Sequence, residues 1–319
     1  MRVRFWGTRG SLPVAFTAAA LRERLIKALT AAAGRDLDTA VKAAAFLDDE
    51  VDIAVSHTFG GNSSCVELET GCDEYVLCDL GSGARPFGNK VMAAHGPGQP
   101  RTFHVFISHV HWDHIMGFPF FTPAYIPGNH IRIYGCHAEL AEAFRRQQSA
   151  PCFPVEFDRL GASIDFVRLE PGRTYEIAGC LVTAKLQRHT NDSYGYRFEQ
   201  GGKILVYSTD SEHKLDDDGE RREFVGFFRD ADFVIFDAMY SLADAISVKE
   251  DWGHSSNIVG VELCQMARAR QLCLFHHEPV FSDEQIAAVL RETRRFEEIT
   301  RQDHRVIVSS AYDGMEIEL

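Results

Sequence analysis

Apolar positions along the chain gather in short runs: Val3–Trp6, Ser64–Leu68, Tyr75–Cys78, Phe103–Ser108 and Ile131–Tyr134. The series continues with Ile164–Leu169, Leu181–Leu186, Ile204–Ser208, Phe233–Phe236, Leu272–Phe275 and Val306–Ser309. Several are unbroken rather than alternating, the pattern of strands covered on both faces. Between them, Ala138–Gln148, Asn257–Ala269 and Asp283–Phe296 carry helical patterns. Ser282 with Gln285 three residues on predicts a capping box at the start of the last. Strands interleaved with helices predict a layered α/β fold. No internal repeat, low-complexity tract or Pro/Gly/Ser-rich linker interrupts the pattern, so residues 1–319 read as a single domain.

One segment departs from this rhythm. Ala15–Glu50 is rich in Ala, Leu and Arg and lacks proline, with Leu21, Leu25 and Leu29 at helical spacing. Gly34 reads as a stop, Asp36 as the next N-cap, and Leu37, Val41 and Ala45 as a second stripe. The pattern predicts a helical hairpin inserted between the first strand and Phe59-Gly60-Gly61-Asn62. Such a hairpin decorates the body, covers a site or meets a second copy. Its stripes are short and alanine-rich and gain from a partner surface. The expectation is a homodimer with the hairpin at or near the contact, limiting the pocket to small substrates.

With 45% apolar residues the chain can bury a proper core. Lys and Arg number 33 against 46 Asp and Glu, a net charge of −13. That balance repels polyphosphate and disfavours a nucleic-acid polymer as partner. No apolar run approaches the ~18–20 residues of a membrane span. The N-terminal segment lacks a secretory apolar region. Eight scattered cysteines without a C-x-x-C pair read as reduced thiols of a cytoplasmic protein.

Fourteen histidines carry the chemistry. Ser108-His109-Val110-His111-Trp112-Asp113-His114 follows a predicted strand directly and places four potential metal ligands within six residues. Imidazoles and a carboxylate suit zinc, manganese or iron. A core does not tolerate such crowding unless partners or a cation compensate it. His189, Asp210 and His276 each stand at or close behind the end of another predicted strand, where layered α/β folds gather their sites. Together they complete a ligand count for two metals.

In this set, His109-x-His111-x-Asp113-His114 with His189, Asp210 and His276, the chain resembles the metallo-β-lactamase-fold hydrolases. Gly7-Thr8-Arg9-Gly10-Ser11, Gly60-Gly61-Asn62-Ser63-Ser64, Tyr207–Asp210 and Gly253-His254-Ser255-Ser256 resemble the phosphodiesterase branch. That branch holds cyclic-phosphate phosphodiesterases and transfer-RNA 3′-processing endonucleases. The resemblance implies a four-layer αββα sandwich and two divalent cations, zinc first, with manganese or iron as alternatives. It implies His109, His111 and His189 at one metal, Asp113, His114 and His276 at the other, and Asp210 bridging. His277, next in sequence, stays open as a replacement for His276. His254 matches a proton donor and Asp237 its acidic partner, while Asp113 would orient a metal-bridging hydroxide.

Contacts to a small anionic substrate are expected from Asn62, Ser193 and Tyr194, where neighbouring glycines let backbone amides approach an anion. Of the aromatic stretch Trp112, Phe118, Phe120, Phe121 and Tyr125, most reads as core, with Trp112 and Tyr125 as candidates for stacking a base. The leading functional expectation is hydrolysis of a small phosphodiester such as a cyclic nucleotide. Hydrolysis of a carboxylic ester, lactone or thioester by the same metals is the alternative. Transfer-RNA 3′ processing is weaker, since no Lys/Arg-rich arm is visible.

Overall fold

The computed structural model describes residues 1–239 and 253–319. β1 (Arg2–Gly7), β2 (Cys65–Glu69), β3 (Tyr75–Cys78), β4 (Thr102–Phe106), β5 (His130–Gly135) and β6 (Ser163–Arg168) lie side by side in chain order. A second sheet repeats the plan with β7 (Thr174–Ile177), β8 (Cys180–Gln187), β9 (Ser193–Gln200) and β10 (Lys203–Ser208). It continues through β11 (Phe233–Asp237), β12 (Gln271–Phe275) and β13 (Ile307–Ser310). β14 (Glu316–Glu318) returns to the first sheet beside β1. β3 to β6 are mutually parallel, as are β10 to β13. Parallel strands send their carboxyl ends to one edge, and the polar loops with the histidines leave from those ends.

Between β1 and β2 the chain forms α1 (Ala18–Ala31), α2 (Ala40–Asp49) and the single turn α3 (Ile53–Ser56). Thr17 and Thr39 cap the first two helices, each side chain accepting a bond from the amide three residues on. Asp36, the expected second cap, instead pairs with the Lys42 ammonium at 2.7 Å. It lies three residues too early to reach the first free amides. α1 buries no residue, and Leu21, Leu25 and Leu29 are 48%, 53% and 71% exposed. Charge tethers it instead: Arg24 binds the Asp283 carboxylate and the His57 carbonyl, and Lys27 sits 3.2 Å from Glu284. α1 and α2 both rest on α3.

The remaining helices complete four layers. α4 (Ala84–His95), the one-turn α5 (Trp112–Ile115) and α6 (Leu140–Gln147) cover the outer face of the first sheet. Phe87, Phe103, Phe118, Phe121 and Phe144 fill that interface. α7 (Asp218–Phe228), α8 (Asn257–Ala267) and α9 (Asp283–Thr300) cover the second sheet over Val206, Phe228, Phe236 and Leu272. The Ser282–Gln285 capping box opens α9 as the sequence predicts. Between the sheets lies an aromatic core with Phe5, Phe106, Tyr196, Phe198, Tyr207 and Phe275. The order is helices, sheet, sheet, helices, the αββα arrangement.

Candidate metal centre

Seven side chains from four strand exits converge. His109, His111, Asp113 and His114 come from the loop and turn after β4, His189 follows β8, Asp210 follows β10, and His276 follows β12. Asp210 and His276 leave their strands with φ of 44° and 59°, in the left-handed region that non-glycine residues avoid. Such backbone costs about 1–3 kcal/mol per residue and persists only where the surroundings impose it. Here it turns both side chains inward instead of onward along the strand.

Asp210 divides the cluster. Its Oδ2 lies 3.6 Å from His109 Nε2 and 3.8 Å from His189 Nε2, which is itself 3.2 Å from His111 Nδ1. Its Oδ1 lies 3.3 Å from His114 Nε2 and 3.2 Å from His276 Nε2. Asp113 Oδ2 stands 3.2 Å from the same two nitrogens. One donor atom from each of Asp113, His114, Asp210 and His276 lies within 4.8 Å of the others, and the same holds for His109, His111 and His189.

The chemistry of these donors fits cations. His109 Nε2 and His114 Nε2 are buried and make no hydrogen bond, and a buried unmatched nitrogen is costly unless something coordinates it. Burial first, and neighbouring imidazoles next, push the His109 and His111 pKa down. Burial opposes ionisation of Asp113 and Asp210, yet the surrounding imidazoles hold both carboxyls well below the ordinary range. Deprotonated carboxylates and neutral imidazoles are the forms that ligate metal. His114 goes the other way: burial lowers its pKa, but Asp210, Asp113 and Asp79 outweigh it and raise it.

A second circle of groups aims the first. Asp79, fully buried after β3 with φ of 59°, accepts from Ser108 N at 2.7 Å, Ser108 Oγ at 2.8 Å, and His114 Nδ1 and Tyr207 Oη, each at 2.7 Å. Holding Nδ1 turns His114 Nε2 toward the cluster. The Gly253 carbonyl does the same for His189, meeting Nδ1 at 2.8 Å. A Cβ on Gly253 would stand 2.6 Å from that nitrogen, and one on Gly10 would stand 2.5 Å from the His276 ring. The Ser11 amide donates to Asp113 Oδ2 at 2.8 Å. Asp79, not among the expected site residues, carries one signal in the sequence, a carboxylate directly behind a predicted strand, the same that marks Asp210.

His254 lies beside the cluster, its ring centre 5.0 Å from that of His189 and 5.2 Å from that of His276. Its Nδ1 is 2.8 Å from Asp237 Oδ2. Burial lowers the His254 pKa, but the Asp237 carboxylate overcomes this and lifts it to about 9.

Residues 75–277, more than half of the sequence, match the beta-lactamase superfamily domain. The chain belongs to that superfamily. It is a metal-dependent hydrolase of the metallo-β-lactamase fold. Ribonuclease Z of Thermoplasma acidophilum is 24% identical over 237 residues, 60% of this chain and 74% of that protein. The metallo-β-lactamase-fold protein YhfI of Bacillus subtilis superposes with a TM-score of 0.66 at 16% identity, covering 100% of this chain and 98% of its own. A diphosphatase of the PhnP family gives a TM-score of 0.59 at 17% identity, covering 100% and 97%.

Within this superfamily member, other expected positions fall differently. His276 enters the cluster, whereas His277 turns away, with Nε2 2.9 Å from the Ala311 carbonyl and its ring against Phe59. Asn62 and Ser193, expected to touch substrate, spend their side chains on the protein. Asn62 Nδ2 donates to Asp313 Oδ2 at 3.1 Å, and its Oδ1 accepts from Ser82 Oγ at 3.0 Å. Ser193 starts β9, is fully buried, and donates to the Asp210 carbonyl at 2.7 Å. It therefore steadies Asp210. Tyr194 is half-buried with its ring edge-on to His137. Of the aromatic stretch, Phe118 and Phe121 are core, Tyr125 donates to the Pro119 carbonyl at 2.6 Å, and Trp112 and Phe120 are 74% and 56% exposed.

Proposed function

We propose that this hydrolase cleaves a small phosphodiester, such as a cyclic nucleotide, with two divalent cations in the cluster. One observation carries the reading: the two oxygens of Asp210 face two different ligand groups. His109, His111 and His189 would hold one cation, Asp113, His114 and His276 the other, and Asp210 both. The imidazole-rich donors suit zinc first, then manganese or iron. Two such cations, when bound, supply Lewis acidity and lower the pKa of water.

The chain's own residues do the rest. The Ser11 amide, which donates to Asp113 Oδ2, keeps that carboxylate turned toward the cluster. Asp237 engages His254 at Nδ1, so the proton that His254 delivers to the leaving oxygen is the one on Nε2. A ribonuclease and a diphosphatase among the relatives support chemistry at phosphorus. A net charge of −13 favours a small anion over a polymer, because the cations offset that charge only locally. The shared core between the sheets supports one domain over residues 1–319. Among the described residues no helix is long and apolar enough to cross a membrane, and eight free cysteines fit a reducing, cytoplasmic compartment.

Metal analysis after reconstitution is expected to return about two transition-metal ions per chain, the number a two-metal displacement needs. Bis-p-nitrophenyl phosphate is expected to be turned over in preference to ester and lactone probes. At most one ion per chain sinks the two-metal reading; ester or lactone turnover alone moves the reaction to carbonyl carbon. Cleavage of precursor transfer RNA without turnover of the small diester would restore the polymer reading.

The exposed Leu21, Leu25 and Leu29 of α1 support a homodimer with this segment at the contact. The solution mass is expected to be twice that of the chain, and to halve when residues 15–50 are replaced by a short Gly/Ser loop. A folded replacement with unchanged mass leaves the segment as decoration.

A further inference from the structure

A groove of about 970 Å³ opens beside the metal cluster, and His109 and His111 line both. Ile115, Met116, Pro119, Phe120, Ala143 and Phe153 make the rest of its surface largely apolar. Trp112 lines it too and stands 74% exposed on α5, the turn that carries Asp113 and His114. Phe120 and Phe153 meet edge to face with ring centres 5.6 Å apart. An exposed tryptophan and an aromatic pair in one groove wall offer flat apolar surface against which a further aromatic ring can stack.

Two further features narrow what can occupy it. Among the described residues the groove is lined by Glu139, Glu142 and Asp192 against one cation, Arg146, which is paired with Glu142. A second phosphate or any other anion arriving there meets excess negative charge. Among the described residues the groove is walled by His109 and His111 from the cluster and not by His254, Asp237 or His276. A phosphodiester has two ester oxygens, and only the one that leaves has to face His254.

Resting on the phosphodiesterase reading, we propose that this groove holds the ester group that stays on phosphorus, and that this group is an uncharged aromatic ring system. Water supplies the oxygen of the new P–O bond, the P–O bond facing His254 breaks, the departing oxygen takes the His254 proton, and the proton given up by the water restores His254. The product is a monoester that keeps the groove-bound aromatic group, and the new hydroxyl leaves as a separate alcohol from an acyclic diester or stays in the same molecule from a cyclic one. Trp112, Phe120 and Phe153 then determine specificity for the retained group.

The probe is 1-naphthyl phenyl phosphate, whose two alcohols have comparable acidity, so the pocket rather than the leaving group sets the direction of cleavage. The metal-loaded protein is expected to release phenol and keep naphthyl phosphate over the reverse by about tenfold, a modest return for burying one larger ring. Trp112→Ala and Phe153→Ala are expected to bring the product ratio to about one, and Trp112→Phe to restore most of it. The ratio is read within each variant, so a general loss of rate does not disturb it. Equal products, or excess naphthol, from the unsubstituted protein overturn the groove assignment while the phosphodiesterase reading stands. No cleavage of this diester or of bis-p-nitrophenyl phosphate overturns both.

Discussion

Replacing Asp210 by Ala is expected to remove metal and activity together. Loss of an outer partner of a metal ligand already costs about 10–100-fold in affinity or activity. Loss of a carboxylate facing both ligand groups is therefore expected to exceed about a thousandfold in turnover, with metal content falling from about two ions to less than one. Asp210→Asn is the companion variant. Asp210 has a φ of 44°, a conformation that Asn accepts and Ala resists, so Asn keeps the backbone and the Thr209 contact at 2.6 Å while discarding the charge. Metal analysis and kinetics on the same samples, with circular dichroism to confirm folding, decide the matter. Full activity with two metals bound in Asp210→Asn would show that another carboxylate, Asp113 first, joins the two sites.

His254→Ala is expected to separate chemistry from metal binding. The Nδ1 contact with Asp237 and the position beside His189 and His276 place the ring at the rim of the cluster. If it delivers the leaving-group proton, the variant keeps both metals and slows on an alkyl leaving group by about 10²–10⁴-fold. p-Nitrophenolate departs without protonation, so its loss is expected to be several-fold only. Asp237→Asn, which keeps the shape but not the charge, should follow the same pattern more weakly. Equal losses on both leaving groups would falsify the proton-donor role and leave His254 as a phosphate contact.

The ligand motif was legible because it is local. Four donors within six residues behind an apolar strand need no long-range information to look unusual. The strands themselves were legible where both faces are covered, as in Phe103–Ser108 and Leu272–Phe275, because two-sided burial demands unbroken apolar runs. β9 escaped notice because Arg197, Glu199 and Gln200 interrupt its apolar residues, although Tyr196 and Phe198 are fully buried. β14 is three residues with two glutamates, held by pairing with β1 and by Glu316 on Arg4 at 2.6 Å. α4 contains Pro86 and Gly88, poor helix signals. It is held by burying Phe87 and Val91, with Gly88 pressed against Phe121.

The sequence alone determined the alternation of strands and helices and marked the seven candidate ligands. Those properties are set by spacing along the backbone and by which residues water rejects. Tertiary structure decided everything that depends on direction. It chose His276 over His277, because a left-handed turn after β12 points one ring into the cluster and sends the next toward Ala311. It committed the side chains of Asn62 and Ser193 to hydrogen bonds with Asp313, Ser82 and the Asp210 carbonyl. It joined Asp79 to Tyr207, 128 residues away and from the opposite sheet, to aim His114. Residues this distant meet only when two sheets close on a common core, and spacing along the chain carries no record of that meeting.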